Sequence, residues 1–462
     1  MMAHLSLADA AAQFGGTLTN PDCQFSQVCI DSRKVIGGDL FVAIKGSAHD
    51  GHDYIDDIES EICGAVVSKY CPTSEISQWI VRDTSIALGD LAKLRRNIFD
   101  GPVVGITGSS GKTSVKEFVA AILKECGTVH STHGNYNNQI GLPLTLLSLP
   151  QLTKFLVLEM GANKIGDIEY LCAIARPTIS LINNIQSAHI EGFGSLSGTA
   201  AAKAEIYRGL APHGTAVVNL DLKYASDWWP IIGNRSCLTF SLSNPAANVR
   251  AEDLHLRSDG CYEFSLVSEQ SPGVTENRHI KLSVPGKHSV ENAIAAAACS
   301  LAAGAGLREI VVGLNSVAVL PRRLETKSLS SGGWIIDDSY NANPESAIAA
   351  IDVLAQRSCQ RVLILGDMAE LGSEASRLHR KVGEYAVRSG IEELLSVGDL
   401  SRHASEIFGG KHFDTQEELM SYLQSLGIND QITFLVKGSR SSAMEQVADF
   451  LERRRQKNAS VD

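Results

Sequence analysis

The sequence predicts an α/β protein of three domains: a small mixed α/β N-terminal domain, a central domain on a largely parallel sheet, and a C-terminal Rossmann-like doubly wound domain. Three observations carry this. The chain has 462 residues, about three times the common domain size. Apolar strand-like runs alternate with helical stretches in two separate blocks, the pattern of βαβ units. Residues 261–284 alternate apolar and polar side chains instead, which marks an antiparallel excursion with one solvated face. The boundaries fall at 1–85, 86–319 and 320–462.

Hydrophobic residues are 44% and charged residues 20% of the chain, enough to fill cores and to exclude wholesale disorder. Asp plus Glu is 52 against 41 Lys plus Arg, a net charge of −11. That argues against a nucleic-acid binder but leaves room for a local basic pocket taking a charged small molecule. Ten cysteines are scattered with no Cys-x-x-Cys spacing, as expected of buried thiols in a reducing compartment. The opening residues lack a basic flank and continuous apolar core. The charge-free stretch 292–307 is short and rich in alanine, so it reads as a packed helix and not as a membrane span. The expectation is a soluble cytoplasmic monomer.

In order, strand-like runs at 40–44 and 65–67 flank glycine turns such as Ile36-Gly37-Gly38-Asp39. Buried strands follow at 103–107, 155–159, 179–182 and 216–219. A second set falls at 334–338, 361–366, 394–398 and 433–438. The basic run 452–457 ends a solvated helix or frays.

The most informative stretch is Gly105-Ile106-Thr107-Gly108-Ser109-Ser110-Gly111-Lys112-Thr113. A buried strand enters it, and Val115, Phe118, Val119, Ile122 and Leu123 then follow at the spacing of one helix face. Strand, glycine-rich loop and helix in this order aim backbone N–H groups at a polyphosphate. Lys112 would neutralise phosphate charge and Thr113 would hold magnesium. The usual glycine five residues before Gly111 is Ile106 here, so the loop is a variant in which Thr107 and Gly108 make the turn.

Glu159 ends a buried strand on the side where ligands collect in open parallel sheets, and its carboxylate suits a hard cation. A solvated strand-end carboxylate is the plain alternative. His189 follows the strand ending at Asn183 and Asn184, and alone reads as a hydrogen-bonded structural histidine. Lys203, in Ala202-Lys203-Ala204-Glu205, reads on spacing as a surface lysine of a helix.

Taken together these stretches resemble the ATP-dependent Mur ligase family of peptidoglycan synthesis. The resemblance rests on residues 31–33, 39–43 and 50–53, then 107–113, 134–138, 159–161, 286–288 and Asn292. The stretches Asp337-Asp338-Ser339-Tyr340-Asn341-Ala342-Asn343-Pro344, Gly366-Asp367-Met368-Ala369-Glu370-Leu371-Gly372 and Lys437-Gly438-Ser439-Arg440 complete it. The last domain's motifs point to the branch that adds D-alanyl-D-alanine to UDP-N-acetylmuramoyl-tripeptide. A sister ligase adding one amino acid, a folyl- or amino-acid-polymerising ligase, and a P-loop ATPase switch are the alternatives.

The resemblance implies residue roles. Lys203 would be carbamylated and, with His189, hold a second magnesium ion beside the first on Thr113 and Glu159. Asn292, Arg323 and Asp338 would contact ATP together with Thr107, Gly108, Ser109, Ser110, Gly111 and Lys112. Ser32, Arg33, Asn135 and Asn138 would hold the uridine nucleotide substrate, and Asp367, Lys437 and Arg440 would lie near the incoming dipeptide. Lys112, Lys203, His189 and Arg323 are the expected catalytic set. The expected partners are these small molecules, with no nucleic acid and no membrane insertion. The serine pair Ser109-Ser110 is expected to matter little, because such loops work through backbone donors.

Overall fold

The computed structural model describes residues 5–187, 190–271, 273–329, 333–426 and 431–458. Apolar β-branched runs form three main sheets. The N-terminal sheet runs Thr17–Thr19, Ser77–Ile80, Ile62–Val67, Asp39–Val42, Val28–Cys29, parallel except for its first strand.

The central sheet has nine strands. Val103–Thr107 lies inside it, parallel to Phe155–Glu159 on one side and Ile179–Ile182 on the other. Thr215–Asn219, Ser236–Ser241 and Val249–Leu256 extend it in parallel. The alternating segment then adds Cys261–Ser271 and Val274–Pro285 as antiparallel edge strands of the same sheet. Buried flanking strands carry apolar residues on both faces, and helices cover both. Lys112–Lys124 and Lys287–Ala302 share one apolar cluster, while Thr84–Asn97, Gly141–Leu147 and Asp167–Ala175 share the other.

That second cluster also contains Leu40, Val42 and Trp79, so the N-terminal and central domains share one core. Arg96, buried on Thr84–Asn97, ties this connecting helix to the central domain by donating to the carbonyls of Ala175 (2.6 Å), Phe99 (2.6 Å) and Arg176 (3.1 Å). The alanine-rich stretch differs from expectation. Its helix starts earlier, at Lys287, and stops at Ala302. Gly304, at φ 93°, turns the chain into a second helix, Leu307–Ser316, because glycine adopts that conformation without a Cβ clash.

The C-terminal sheet runs Glu325–Ser328, Trp334–Asp338, Ile432–Lys437, Gln360–Gly366, Glu393–Val397, Lys411–Phe413. Every pairing but the first is parallel. The last strand in sequence therefore sits between the two that begin the parallel series, and apolar clusters lie on both faces. The run 452–457 falls within the terminal helix Glu445–Asn458. All ten cysteines are free thiols, and no helix among the described residues is long and apolar enough to cross a membrane.

Candidate active site

Parallel register brings the catalytic ends together. Ile106 pairs with Glu159, and Thr107 with Ile182, so loop, carboxylate and the 183–186 segment leave the sheet at one edge. Val103, Val104 and Ile106 anchor the strand, and the five expected apolar residues of Lys112–Lys124 are all buried. At roughly 1.5–3 kcal/mol for each large side chain, that burial holds the loop between two fixed elements.

Gly111 precedes the helix at φ 73°, and a Cβ there would lie 2.7 Å from both Asn183 Nδ2 and Asn292 Oδ1. Asn183 itself donates to Asn292 at 2.9 Å. Val115 N–H is the first to bond back, to the Gly111 carbonyl at 2.9 Å. The N–H groups ahead of it have no intrahelical acceptor, and their residues Gly111 to Ser114 line the cleft, the position from which a helix start can take an anion. The serine pair does more than expected. Ser109 N–H and Ser110 N–H are already given to Asn184 (3.1 and 2.9 Å), and their hydroxyls to Gln186 (3.2 and 2.6 Å). Both serines thus fasten the loop to the neighbouring strand's exit, which leaves the N–H groups of the helix start as the loop's uncommitted donors.

Thr113 and Glu159 face each other. The threonine hydroxyl donates to the carboxylate at 2.9 Å, and Asn137 donates to its other oxygen at 2.7 Å. Glu159 is 3% exposed and has no ion-pair partner among the described residues. A buried carboxylate held only by neutral donors, with a hydroxyl beside it, is the oxygen donor set a hard divalent cation takes. Lys112 donates to the Gly108 carbonyl at 2.9 Å. Burial lowers its pKa from the usual range, offset by Glu159 and reinforced by Arg323.

Lys203 is not a surface residue. It ends the helix Leu196–Lys203 at 1% exposure, 5.7 Å above the Phe193 ring. It has no carboxylate partner among the described residues, and burial, followed by the Lys112 charge, drives its pKa well below the ordinary lysine range. His189 lies outside the described residues.

The C-terminal domain closes the site. Arg323 donates to Thr113 Oγ1 at 3.0 Å and lies 4.1 Å from the Tyr340 ring centroid. Lys437, 2% exposed, is paired with Asp338 and donates to the Asn341 carbonyl at 3.0 Å. The resulting cleft of about 610 Å³ is lined by residues 109–113 of the loop, Asn135, Asn138, Glu159, Asn292, Arg323, Asp338, Lys437 and Arg440.

Six expected residues among those described lie outside its lining: Thr107, Gly108, Lys203, Ser32, Arg33 and Asp367. Ser32 and Arg33 sit on a short turn of the N-terminal domain, where Arg33 pairs with Asp31 at 2.9 Å. Asp367 accepts the N–H groups of Leu400 (3.0 Å) and Ser401 (2.7 Å) on one oxygen, Oδ1. Sequence reasoning missed Asn137, Asn183, Gln186 and Tyr340 as site residues. Only their place in or beside the motifs could have flagged them.

Three family models match: a Mur ligase family catalytic domain over residues 24–92, a Mur ligase middle domain over 106–300, and a Mur ligase glutamate ligase domain over 322–440. The UDP-N-acetylmuramoyl-tripeptide--D-alanyl-D-alanine ligase of Escherichia coli K12 is 42% identical, over 98% of this chain and 99% of that one. A solved UDP-N-acetylmuramoylalanyl-D-glutamyl-2,6-diaminopimelate--D-alanyl-D-alanyl ligase from Acinetobacter baumannii superposes with a TM-score of 0.85 at 32% identity, covering 98% and 99%. The MurF ligase of Thermotoga maritima, solved with ADP, gives a TM-score of 0.81 at 28% identity over 94% and 98%. The chain belongs to the Mur ligase family.

Proposed function

We propose that this chain is the ATP-dependent ligase that joins D-alanyl-D-alanine to UDP-N-acetylmuramoyl-tripeptide, giving the pentapeptide, ADP and phosphate. The observation that supports it most is a pair of opposite groups, each buried without an ionic partner among the described residues and each close enough to Lys112 for the charges to be felt: the Glu159 carboxylate, which lines the cleft, and the Lys203 amine. Both make sense beside a polyphosphate and cations. Lowering the amine's pKa favours its unprotonated, nucleophilic form, which adds carbon dioxide, releasing a proton and becoming an anionic carbamate. Lys203 would then offer oxygen to a second magnesium ion with His189, as Thr113 and Glu159 would to the first. Magnesium bound there supplies charge neutralisation for the transferred phosphoryl group.

The tripeptide's terminal carboxylate attacks the ATP γ-phosphorus, ADP leaves, and an acyl phosphate forms. The dipeptide amine attacks the acyl carbon, the tetrahedral intermediate expels phosphate, and the amine proton is lost. A carboxylate is a poor electrophile, so phosphorylation supplies its leaving group. The protein's task is alignment and charge stabilisation. Lys112 and Arg323 would hold the phosphates, and the helix start would cradle them. Asn292 would face the base and Asp338 the nucleotide across the closed cleft. Ser32, Arg33, Asn135 and Asn138 would bind the uridine substrate, and Lys437 and Arg440 would flank the dipeptide. Asp367 would lie near the dipeptide as well, one of its oxygens holding the turn at Leu400. The site works in the cytoplasm on soluble substrates.

The test is phosphate release from Mg-ATP with UDP-N-acetylmuramoyl-tripeptide, with and without D-alanyl-D-alanine. Release that needs both, with the matching mass gain, is the expected result. Release without either substrate would make the chain an ATPase switch.

A further inference from the structure

The cations lining the cleft sort by partner. Lys112 and Arg323 face the phosphate end. Lys437 is paired with Asp338, and Arg440 with Glu445 at 3.2 Å. Lys164 also lines the cleft, on the loop after Glu159, and is exposed. Among the described residues its ammonium has no carboxylate partner.

That loop is clamped, unlike an ordinary surface turn. Asp167 takes the N–H groups of Asn163 (2.9 Å) and Lys164 (3.1 Å) on one oxygen. Glu205, 3% exposed and two residues from Lys203, takes those of Gly166 (2.8 Å) and Glu169 (3.0 Å). Gly161 N–H is bonded to the Asn137 carbonyl at 2.8 Å. A Cβ on Gly192 would come within 1.8 Å of the Asn163 carbonyl, so the backbone is also pinned from outside. A fixed backbone thus presents a free ammonium to a cleft whose other cations are committed.

The position sets what it can meet. Lys164 shares its wall with Tyr170, whose hydroxyl lies against Gly89 of the helix joining the N-terminal and central domains. On the reading proposed above, which this inference rests on, the uridine end lies toward the N-terminal domain and the reacting carboxylate at Lys112. The peptide stem between them passes this wall. An alanyl-glutamyl-diaminopimelyl stem, as named for the Acinetobacter relative, has a non-reacting carboxylate on glutamate and another on diaminopimelate.

We infer that Lys164 pairs with a non-reacting stem carboxylate and so registers the tripeptide in the cleft. The test is steady-state kinetics of Lys164→Met and Lys164→Arg with diaminopimelate- and lysine-containing UDP-tripeptides. Methionine keeps the alkyl stem and removes the charge. The Met variant should raise KM for the UDP-tripeptide about tenfold, leaving kcat and KM for ATP unchanged, and Arg should restore most of the loss. A rise with both stems assigns the glutamyl carboxylate, and a rise with the diaminopimelate stem alone assigns that side chain. Unchanged KM with both overturns the inference. A wild-type chain inactive with both tripeptides would overturn the reading beneath it as well.

Discussion

Arg323 reaches Thr113 across the domain boundary, its guanidinium 3.0 Å from the hydroxyl that itself donates to Glu159. The arginine stands between two left-handed residues, Arg322 at φ 61° and Leu324 at φ 53°. Non-glycine residues in that region cost on the order of 1–2 kcal/mol each, so the linker is bent into place to deliver this side chain. Arg323→Ala should lower kcat by about a hundredfold or more and leave the melting temperature nearly unchanged. Turnover close to wild type would show that the contact only packs the linker.

Lys112→Ala removes the cation at the helix start. Phosphate release should fall on the order of a thousandfold, equivalent to several kcal/mol of transition-state stabilisation. Near-normal turnover would remove the loop from the chemistry.

Gly111→Ala places a methyl where φ is 73° and two amide groups stand at 2.7 Å. Strain of about 1–2 kcal/mol is expected, together with displacement of Asn183 and Asn292. Calorimetry should register both a lower melting temperature and weaker ADP binding. A lower melting temperature with ADP affinity intact would separate the asparagine pair from nucleotide binding.

Arg96→Met keeps length but abandons three backbone carbonyls. Burial, with Arg176 nearby, already pushes the guanidinium down to about 10, so the group stays for its hydrogen bonds. The loss should be roughly 3 kcal/mol, read in urea unfolding as a lower midpoint of the N-terminal and central unit. An unchanged midpoint would show that the shared apolar cluster alone holds the connecting helix.

His379 is fully buried. Its Nε2 accepts from Met368 N–H at 3.0 Å and its Nδ1 donates to the Ala375 carbonyl at 2.8 Å. Burial lowers its pKa, outweighing the opposing effects of the Ala375 carbonyl and Asp367. The folded state therefore resists the proton that the unfolded chain accepts. The neutral ring's stability is complete above about pH 6.5 and is lost as pH falls below it. Between about pH 6.5 and 5 the wild-type melting temperature should fall more steeply than that of His379→Gln. Parallel curves would mean the ring is not held neutral.

The regular parts of this molecule were legible because burial leaves a period. Val103–Thr107, Phe155–Glu159, Ile179–Ile182 and Trp334–Asp338 have the expected bounds, since two-sided burial requires uninterrupted apolar runs. The hairpin of residues 261–285 followed from alternation. Lys203 was misjudged on spacing because the last residue of a helix turns inward or outward according to its tertiary neighbours. Asn137 and Asn183 gave no signal, since a loop amide that orients a carboxylate looks like any turn asparagine. Asp367 shows the reverse: a motif carboxylate whose bonds go to the Leu400 turn.

The placement of Ile432–Lys437 between Trp334–Asp338 and Gln360–Gly366 has a consequence for biosynthesis. The central sheet is fully encoded by Pro285 and can assemble while translation continues. The C-terminal sheet must wait with two strand edges open until nearly the whole chain has left the ribosome. Lys437 ends that last strand beside Asp338, so one late insertion completes both sheet and cleft. A chain cut short before residue 432 could keep its nucleotide loop, yet its C-terminal domain would expose unpaired edges to chaperones and proteases.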